Sequence, residues 1–226
     1  MQAVILAAGL GTRMGELTKT TPKPLLKIQD RTLLEHNLTA LPDEIAEVVL
    51  VVGYLAEQIK DFIGNNFLGK KITYVHQEDL KGTGHALSLC KDLLHDRFLV
   101  LMGDDLYYKK DLEELIGHEL AILVWELRAD ELENTRQANV KIDGQGKLLD
   151  IAERQSAKKG ILVNTGAYVL DERFFDYPLL PAGNMTDELG LPQTFLQMVE
   201  DGAKMDVVKA TSWHKVTSPN DLLSRT

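Results

Sequence analysis

The order of apolar and amphipathic segments is the feature that most constrains the fold of this chain. Through the first 105 residues, short apolar runs of strand length alternate with segments whose apolar residues recur at helical spacing. This alternation predicts a parallel sheet that is covered by helices on both faces. The predicted strands are 2–7, 47–52, 71–75 and 98–102, and the predicted helices are 32–41, 55–63 and 84–94.

The second half of the chain is richer in predicted strands. The segment Asp143-Gly144-Gln145-Gly146 lies between two apolar runs and is a strong hairpin signal. No low-complexity linker separates the halves, so we expect one α/β domain over residues 1–226, with a mixed, mainly parallel central sheet and a β-rich second half. The predicted strands are 120–127, 138–142, 147–152, 162–170 and 205–208, and the predicted helices are 193–199 and 219–223.

The charge distribution argues against one class of partner and for another. The formal net charge is −9, which disfavours nucleic acids and anionic membranes as partners. Residues 1–31 nevertheless hold five basic and two acidic residues, a local charge of +3 in a chain that is otherwise −12. This contrast indicates a small anionic ligand near the start of the chain.

The cysteine count and the length of the apolar runs indicate the cellular compartment of the protein. A single cysteine, Cys90, excludes an intramolecular disulfide and a cysteine-rich zinc site, and its register with Leu87 and Leu94 predicts a core position. The first residues lack the basic region of a signal peptide, and the longest apolar runs are far shorter than the ~20 residues of a membrane span. We therefore expect a cytoplasmic protein without a membrane partner.

A glycine-rich loop follows the first predicted strand. Gly9 and Gly11 allow the backbone to approach a nucleotide and to direct N–H groups at phosphate oxygens. Arg13 and Lys23 bring positive charge to the same anion. Because the prolines on both sides of Lys23 restrict its backbone, they should aim its side chain. The loop therefore predicts a nucleotide-phosphate site.

Two other phosphate-binding motifs fit less well. A dinucleotide-binding fingerprint needs its third glycine at position 14, one residue before Gly15, and an acidic residue at the end of the next strand, where Gly53 stands. The segment 64–70 approaches a Walker A loop, but Lys71 replaces the hydroxyl residue and the segment follows a predicted helix. The end of a helix is the better interpretation of that segment.

The segments Ala7-Ala8-Gly9, Gly11-Thr12-Arg13 and Pro22-Lys23-Pro24-Leu25 resemble the sugar-1-phosphate nucleotidylyltransferases, the NDP-sugar pyrophosphorylases, in their short single-domain form. Further matching segments follow in order to about residue 222. The resemblance implies a Rossmann-like three-layer domain that binds an NTP with residues 1–105 and a sugar 1-phosphate with residues 106–226. It also implies Mg²⁺ as cofactor and favours UTP or dTTP.

The resemblance assigns roles residue by residue. Arg13 and Lys23 are the expected catalytic cations, and Asp104, with Asp105 assisting, is the expected metal ligand at the end of a strand, where a hard oxygen ligand suits magnesium. The expected nucleotide contacts are Leu6, Ala8, Gly9, Gly11, Thr12, Gln77, Gly82 and Thr83, and the expected sugar-phosphate contacts are Glu153, Arg154, Asn164, Thr165 and Lys215. The amide of Gln77 both donates and accepts, so its identity does not fix the base.

Two positions depart from the family pattern. Ala138-Asn139 stands where members often have Tyr-Gly, and Lys215 stands where many have a second metal-binding aspartate. An ammonium group cannot bind a metal, so our hypothesis is that Asp104 holds the ion with water and phosphates while Lys215 faces phosphates or solvent.

Two further functions stay open at this point. One is a cytidylyltransferase that acts on phosphocholine or a similar phosphomonoester, and the other is a nucleotide-binding regulatory module without catalysis, which Lys215 favours. The sequence also leaves open the sugar, the base and the oligomeric state, with a homo-oligomer among the options.

Overall fold

The computed structural model describes residues 1–131, 136–156, 158–183 and 185–223. These residues form sixteen strands and five α-helices, with 3-10 segments between them. The strands are β1 (Gln2–Leu6), β2 (Lys27–Ile28), β3 (Arg31–Thr32), β4 (Glu47–Val52), β5 (Asn66–Phe67), β6 (Lys70–His76), β7 (Arg97–Met102), β8 (Leu106–Tyr107), β9 (Ala121–Glu126), β10 (Arg136–Ile142), β11 (Leu148–Ser156), β12 (Leu162–Asp171), β13 (Leu180–Ala182), β14 (Met185–Gly190), β15 (Asp206–Lys209) and β16 (Trp213–His214). The helices are α1 (Leu33–Ala40), α2 (Ala56–Ile63), α3 (Gly82–Ser88), α4 (Lys109–Leu115) and α5 (Leu191–Glu200).

A ten-stranded sheet forms the centre of the molecule. Its main path is β11-β10-β12-β7-β1-β4-β6-β5, and β12 also pairs with β9, which pairs with β15. The four central strands β7, β1, β4 and β6 are parallel, whereas β12 pairs antiparallel with β7, β9 and β10. The predicted mixed sheet, with a parallel first half and a β-rich second half, is confirmed.

Helices cover both faces of this sheet. Apolar residues of α1, α2 and α4 pack on one face with Ile5, Leu50 and Leu101. Apolar residues of α3 and α5 pack on the other face with Val4 and Val100. The predicted three-layer arrangement is thus present, and Cys90 lies fully buried in the second of these layers as expected.

The structure differs from the predicted elements in a few places. Helix α4 and the hairpin β13–β14 were not expected, and α3 ends at Ser88 rather than at residue 94. Residues 219–222 form a 3-10 turn rather than an α-helix. The segment at 64–70 follows the end of α2, where Gly64 caps the helix with a positive φ of 69°, so the helix-end interpretation is confirmed.

None of the described helices is both long enough and apolar enough to cross a bilayer.

Candidate functional site

The site lies where the parallel strands end. The loops that follow β1, β6 and β7 meet at one edge of the sheet and enclose a pocket of about 460 Å³. This is the edge at which open α/β sheets bind their ligands. The pocket lining includes the following predicted residues: Leu6, Ala8, Gly9, Gly11, Thr12, Arg13, Gln77, Gly82, Thr83 and Asp104.

The two glycines of the first loop serve different purposes. Gly11 has a φ of 65°, and a Cβ there would lie 2.9 Å from the Cβ of Lys23, so the loop packs directly on the lysine. Gly9 has no atom within 4 Å of the place of a Cβ. Space beside the backbone at Gly9 is therefore open to a ligand, as the sequence suggested, whereas Gly11 is needed for packing.

Lys23 is a buried cation with two partners. Its side chain is held by Gly11 on one side, and its Nζ donates to Asp104 Oδ2 and to the carbonyl of Val216, both at 2.5 Å. The residue is 6% exposed and lines a smaller pocket of about 200 Å³, together with Arg13 and Asp104. Lys23 therefore has a fixed position beside Asp104 and the glycine-rich loop.

The adjacent carboxylates Asp104 and Asp105 face different surroundings. Asp104 lines the pocket, and its side chain is 40% exposed. Asp105 is buried, and its Oδ1 accepts a hydrogen bond from the Val216 N–H at 3.1 Å. Burial, and next the charge of Asp104, raise the pKa of Asp105 to about 7. Asp104 is thus placed for a ligand, and Asp105 anchors the segment around Val216.

Lys215 is a half-buried cation beside the segment around Val216. Burial lowers the pKa of its ammonium group, the charges of Asp105 and then of Asp104 and Glu153 raise it, and the charge of Arg13 lowers it further. Its Nζ also lies 5.9 Å from the centre of the Trp213 ring. Lys215 therefore interacts electrostatically with residues predicted for the nucleotide, for the metal and for the sugar.

The other end of the pocket is built by the loop that leads into α3. Gln77 is 4% exposed, and its Nε2 lies 3.1 Å from the Gly82 carbonyl and 3.0 Å from Nδ1 of His85. A Cβ on Gly82, whose φ is 90°, would lie 2.6 Å from the carbonyl oxygen of Leu189. The backbone of the β13–β14 hairpin therefore requires a glycine at this position, which the sequence predicted as a nucleotide contact.

The predicted sugar-side residues are only partly brought together. On β12, Asn164 accepts from the Gly166 N–H and donates to the Tyr168 hydroxyl, so it shapes a bulge in the strand. Thr165 is turned into the sheet, where its hydroxyl donates to the Leu123 carbonyl at 2.8 Å. Glu153 acts electrostatically on Lys215 and Tyr168. The side chain of Arg154 lies outside the part of the chain that the structure describes.

The hairpin β13–β14 supplies pocket residues that the sequence did not predict. Ala182, Glu188 and Leu189 line the pocket, and the Leu189 N–H donates to the Lys81 carbonyl at 2.7 Å. The two strands are short and carry a proline, Pro181, with no regular alternation of apolar residues. Their position depends on contacts with the loop before α3, which no local sequence pattern expresses.

Comparisons with known proteins agree on one family. A family model described as "Nucleotidyl transferase" matches residues 2–226. Among curated relatives, a bifunctional protein GlmU from Methanocaldococcus jannaschii is 29% identical over 99% of this chain. The chain spans only 53% of that relative, so it covers about half the length of several curated proteins it matches.

Two relatives match over most of their own length. The UTP–glucose-1-phosphate uridylyltransferase AglF from Haloferax volcanii is 29% identical over 94% of this chain and 89% of its own. A D-glycero-alpha-D-manno-heptose 1-phosphate guanylyltransferase from Campylobacter jejuni is 34% identical over 78% of both chains.

Solved structures share the fold. The inositol-1-phosphate CTP transferase from T. maritima superposes with a TM-score of 0.79 over 99% of this chain and 91% of its own, at 20% identity.

Proposed function

Because this chain belongs to the nucleotidyl transferase family, we propose that it transfers a nucleotidyl group from an NTP, with UTP or dTTP favoured, to a sugar 1-phosphate and releases pyrophosphate. Relatives named as a uridylyltransferase and a guanylyltransferase of sugar 1-phosphates support this substrate class. A single cysteine, buried as a thiol, fits the reducing cytoplasm that we propose as its location.

One observation carries the proposal. Arg13, Lys23 and Asp104 converge beside the open backbone at Gly9, at the edge of the sheet where ligands bind. Two cations and a carboxylate around a phosphate-sized space form an arrangement suited to a triphosphate with its counter-ion.

The chemistry needs no covalent intermediate. An oxygen of the sugar phosphate forms a bond to the α-phosphorus of the NTP, and the bond from that phosphorus to the pyrophosphate oxygen breaks. The attacking oxygen is already anionic, so no general base is required, and catalysis rests on positioning and on charge stabilisation. In this proposal, Arg13 stabilises the leaving pyrophosphate, and Lys23 stabilises the charge that develops at the α-phosphate.

The residues present fit a magnesium ion that arrives with its substrate. The described residues contain no cluster of three or more acidic, histidine or cysteine side chains that could hold a metal alone. Magnesium is commonly bound by one or two carboxylates together with substrate phosphates, and Asp104 offers such a carboxylate to the pocket. When bound, the ion would neutralise phosphate oxygens, and Asp104 would hold it while Lys23 turns its charge to the nucleotide.

We assign the acceptor side to the region around Lys215. Its charge interacts with those of Asp104 and Glu153, and a cation in these surroundings suits the phosphate of an acceptor whose sugar hydroxyls reach Glu153. A carboxylate near the acceptor favours a hydroxyl-rich sugar, with Asn164 and Arg154 as further proposed contacts.

A coupled pyrophosphate assay tests the proposal directly. A panel of UTP, dTTP, GTP, CTP and ATP is combined with sugar 1-phosphates and with phosphocholine, with Mg²⁺ present. We expect pyrophosphate release with at least one sugar 1-phosphate and none from NTP alone. Turnover with phosphocholine but no sugar would favour the cytidylyltransferase, and nucleotide binding without any turnover would favour the regulatory module.

A further inference from the structure

The amide of Gln77 uses both of its protons inside the protein. Its Nε2 lies 3.1 Å from the carbonyl oxygen of Gly82 and 3.0 Å from Nδ1 of His85. A carbonyl oxygen can only accept, so the group that faces Gly82 must be the NH₂ end of the amide. If the amide were reversed, two oxygens would face each other.

His85 completes this arrangement because its Nδ1 accepts a hydrogen bond from the second N–H of the amide. An imidazole accepts at Nδ1 only when it is neutral and carries its hydrogen on Nε2. His85 lies in the middle of the seven-residue helix α3, half-buried, and its backbone carbonyl accepts from the hydroxyl of Ser88 at 2.8 Å. The helix therefore holds the ring beside Gln77.

The side-chain oxygen of Gln77, Oε1, remains available to accept a hydrogen bond from a ligand. Gln77 lines the pocket, and among the described residues no group donates to its Oε1. A side chain that could in principle offer a donor and an acceptor thus offers an acceptor alone.

We propose that His85 is a positioning residue: with the Gly82 carbonyl it locks the amide of Gln77, so that the pocket selects nucleobases whose ring nitrogen carries a hydrogen. Uracil, thymine and guanine present such an N–H, whereas the corresponding nitrogen of cytosine or adenine is an acceptor and would oppose Oε1. The inference rests on the proposed function, because it treats the pocket as the NTP site.

Two substitutions at one position separate positioning from simple loss of structure. H85L removes the acceptor. H85N restores one at the same distance from the backbone, because Oδ1 of asparagine and Nδ1 of histidine are both attached to Cγ. H95L is the matched control, since His95 is exposed and outside the pocket.

The measured quantity is the ratio of kcat/KM for UTP to that for CTP, with one sugar 1-phosphate. We expect the wild-type protein to prefer UTP and H85L to lower the ratio about tenfold, the equivalent of one hydrogen bond. H85N and H95L should retain the wild-type ratio of kcat/KM for UTP to that for CTP. An unchanged ratio in H85L, even with lower activity for all nucleotides, would overturn the proposal, as would a wild-type preference for CTP or ATP.

Calorimetric titration of the same variants with UTP and with CTP tests the role of His85 by binding alone, so that it can be judged independently of the proposed transferase activity. If the wild type binds UTP more tightly than CTP but releases no pyrophosphate, the transferase proposal fails and the role of His85 is still decided by the binding ratio. If the wild type binds no nucleotide, both proposals are wrong.

Discussion

Arg13 and Lys23 carry the same charge in different surroundings. Arg13 is exposed on the rim of the pocket, whereas Lys23 is buried and fixed by Asp104 and by the Val216 carbonyl. An exposed cation can be removed without leaving a cavity or an unpaired group, and a buried one cannot. The two residues therefore allow the contribution to turnover to be separated from the contribution to stability.

Replacing Arg13 should affect turnover alone. We expect R13A to keep its thermal unfolding temperature and to lose about a hundredfold or more in kcat, as when comparable preorganised charge donors are removed. R31A is the control, because Arg31 is an exposed arginine of the same basic segment that does not line the pocket beside Gly9. Near-normal turnover of R13A in the pyrophosphate assay would rule out its proposed role.

Replacing Lys23 should affect both properties. In K23M, the buried Val216 carbonyl loses its donor, which should lower the free energy of unfolding by about 1–3 kcal/mol. Turnover should fall by about a hundredfold. Urea unfolding followed by circular dichroism, together with the pyrophosphate assay, measures the two effects. A variant as stable as the wild type would show that the contact with Val216 contributes nothing.

At the scale of elements, the contact between α3 and the hairpin β13–β14 shapes the pocket. The backbone of Leu189 lies so close to Gly82 that there is no room for a side chain, and the hydroxyl of Thr83 accepts from the Leu191 N–H. The hairpin is thus fixed to the same loop that carries the amide of Gln77.

Adding one methyl group at Gly82 should move these elements apart. G82A places a Cβ 2.6 Å from a backbone oxygen at a φ of 90°, so neither neighbour can yield cheaply. We expect a loss of stability of about 1–3 kcal/mol and a higher KM for the NTP.

The control is G144A, because Gly144 has ordinary φ and open space around it. If G82A and G144A have equal unfolding temperatures and KM values, the hairpin does not depend on this contact.

The elements differ in how well the sequence predicts them. β1, β4 and β7 are nearly continuous apolar runs because helices cover both of their sides, and their bounds agree with the prediction within one residue. The hairpin β13–β14 has only three residues in its first strand, and α4 has only seven. Elements this short carry too few residues for a periodic pattern, and tertiary contacts hold them in place.

The same contrast applies to the candidate site. The loop residues after β1, β6 and β7 were predictable, because parallel strands bring their carboxyl ends to one edge. The burial of Asp105 and Thr165 was not, because a side chain's direction at a bulge or a strand end depends on the partner strand. The wall formed by Glu188 and Leu189 required the folded hairpin.

At the scale of the whole molecule, metal removal should stop turnover without unfolding the protein. The described residues hold no preformed metal cluster, and the carboxylate of Asp104 is paired with Lys23. EDTA should therefore leave the thermal unfolding temperature unchanged and abolish pyrophosphate release. Mg²⁺ should raise the unfolding temperature only when an NTP is present.

D104N is the matched variant for this experiment, since it should lose the joint effect of Mg²⁺ and NTP. If Mg²⁺ alone stabilised the wild type by several degrees, the ion would have a site of its own, and our account of Asp104 would be wrong.

The two contacts of Lys23 also bear on how the protein is made. They join Lys23 to residues that lie 81 and 193 positions later along the chain, so both hydrogen-bond partners of its ammonium group are synthesised well after the lysine itself. A ribosome adding about 5–20 residues per second would need roughly 10–40 seconds to reach Val216 after Lys23. Until Val216 is added, the nascent chain would carry its cationic loop without the full set of partners that fixes Lys23, and would therefore lack the complete site.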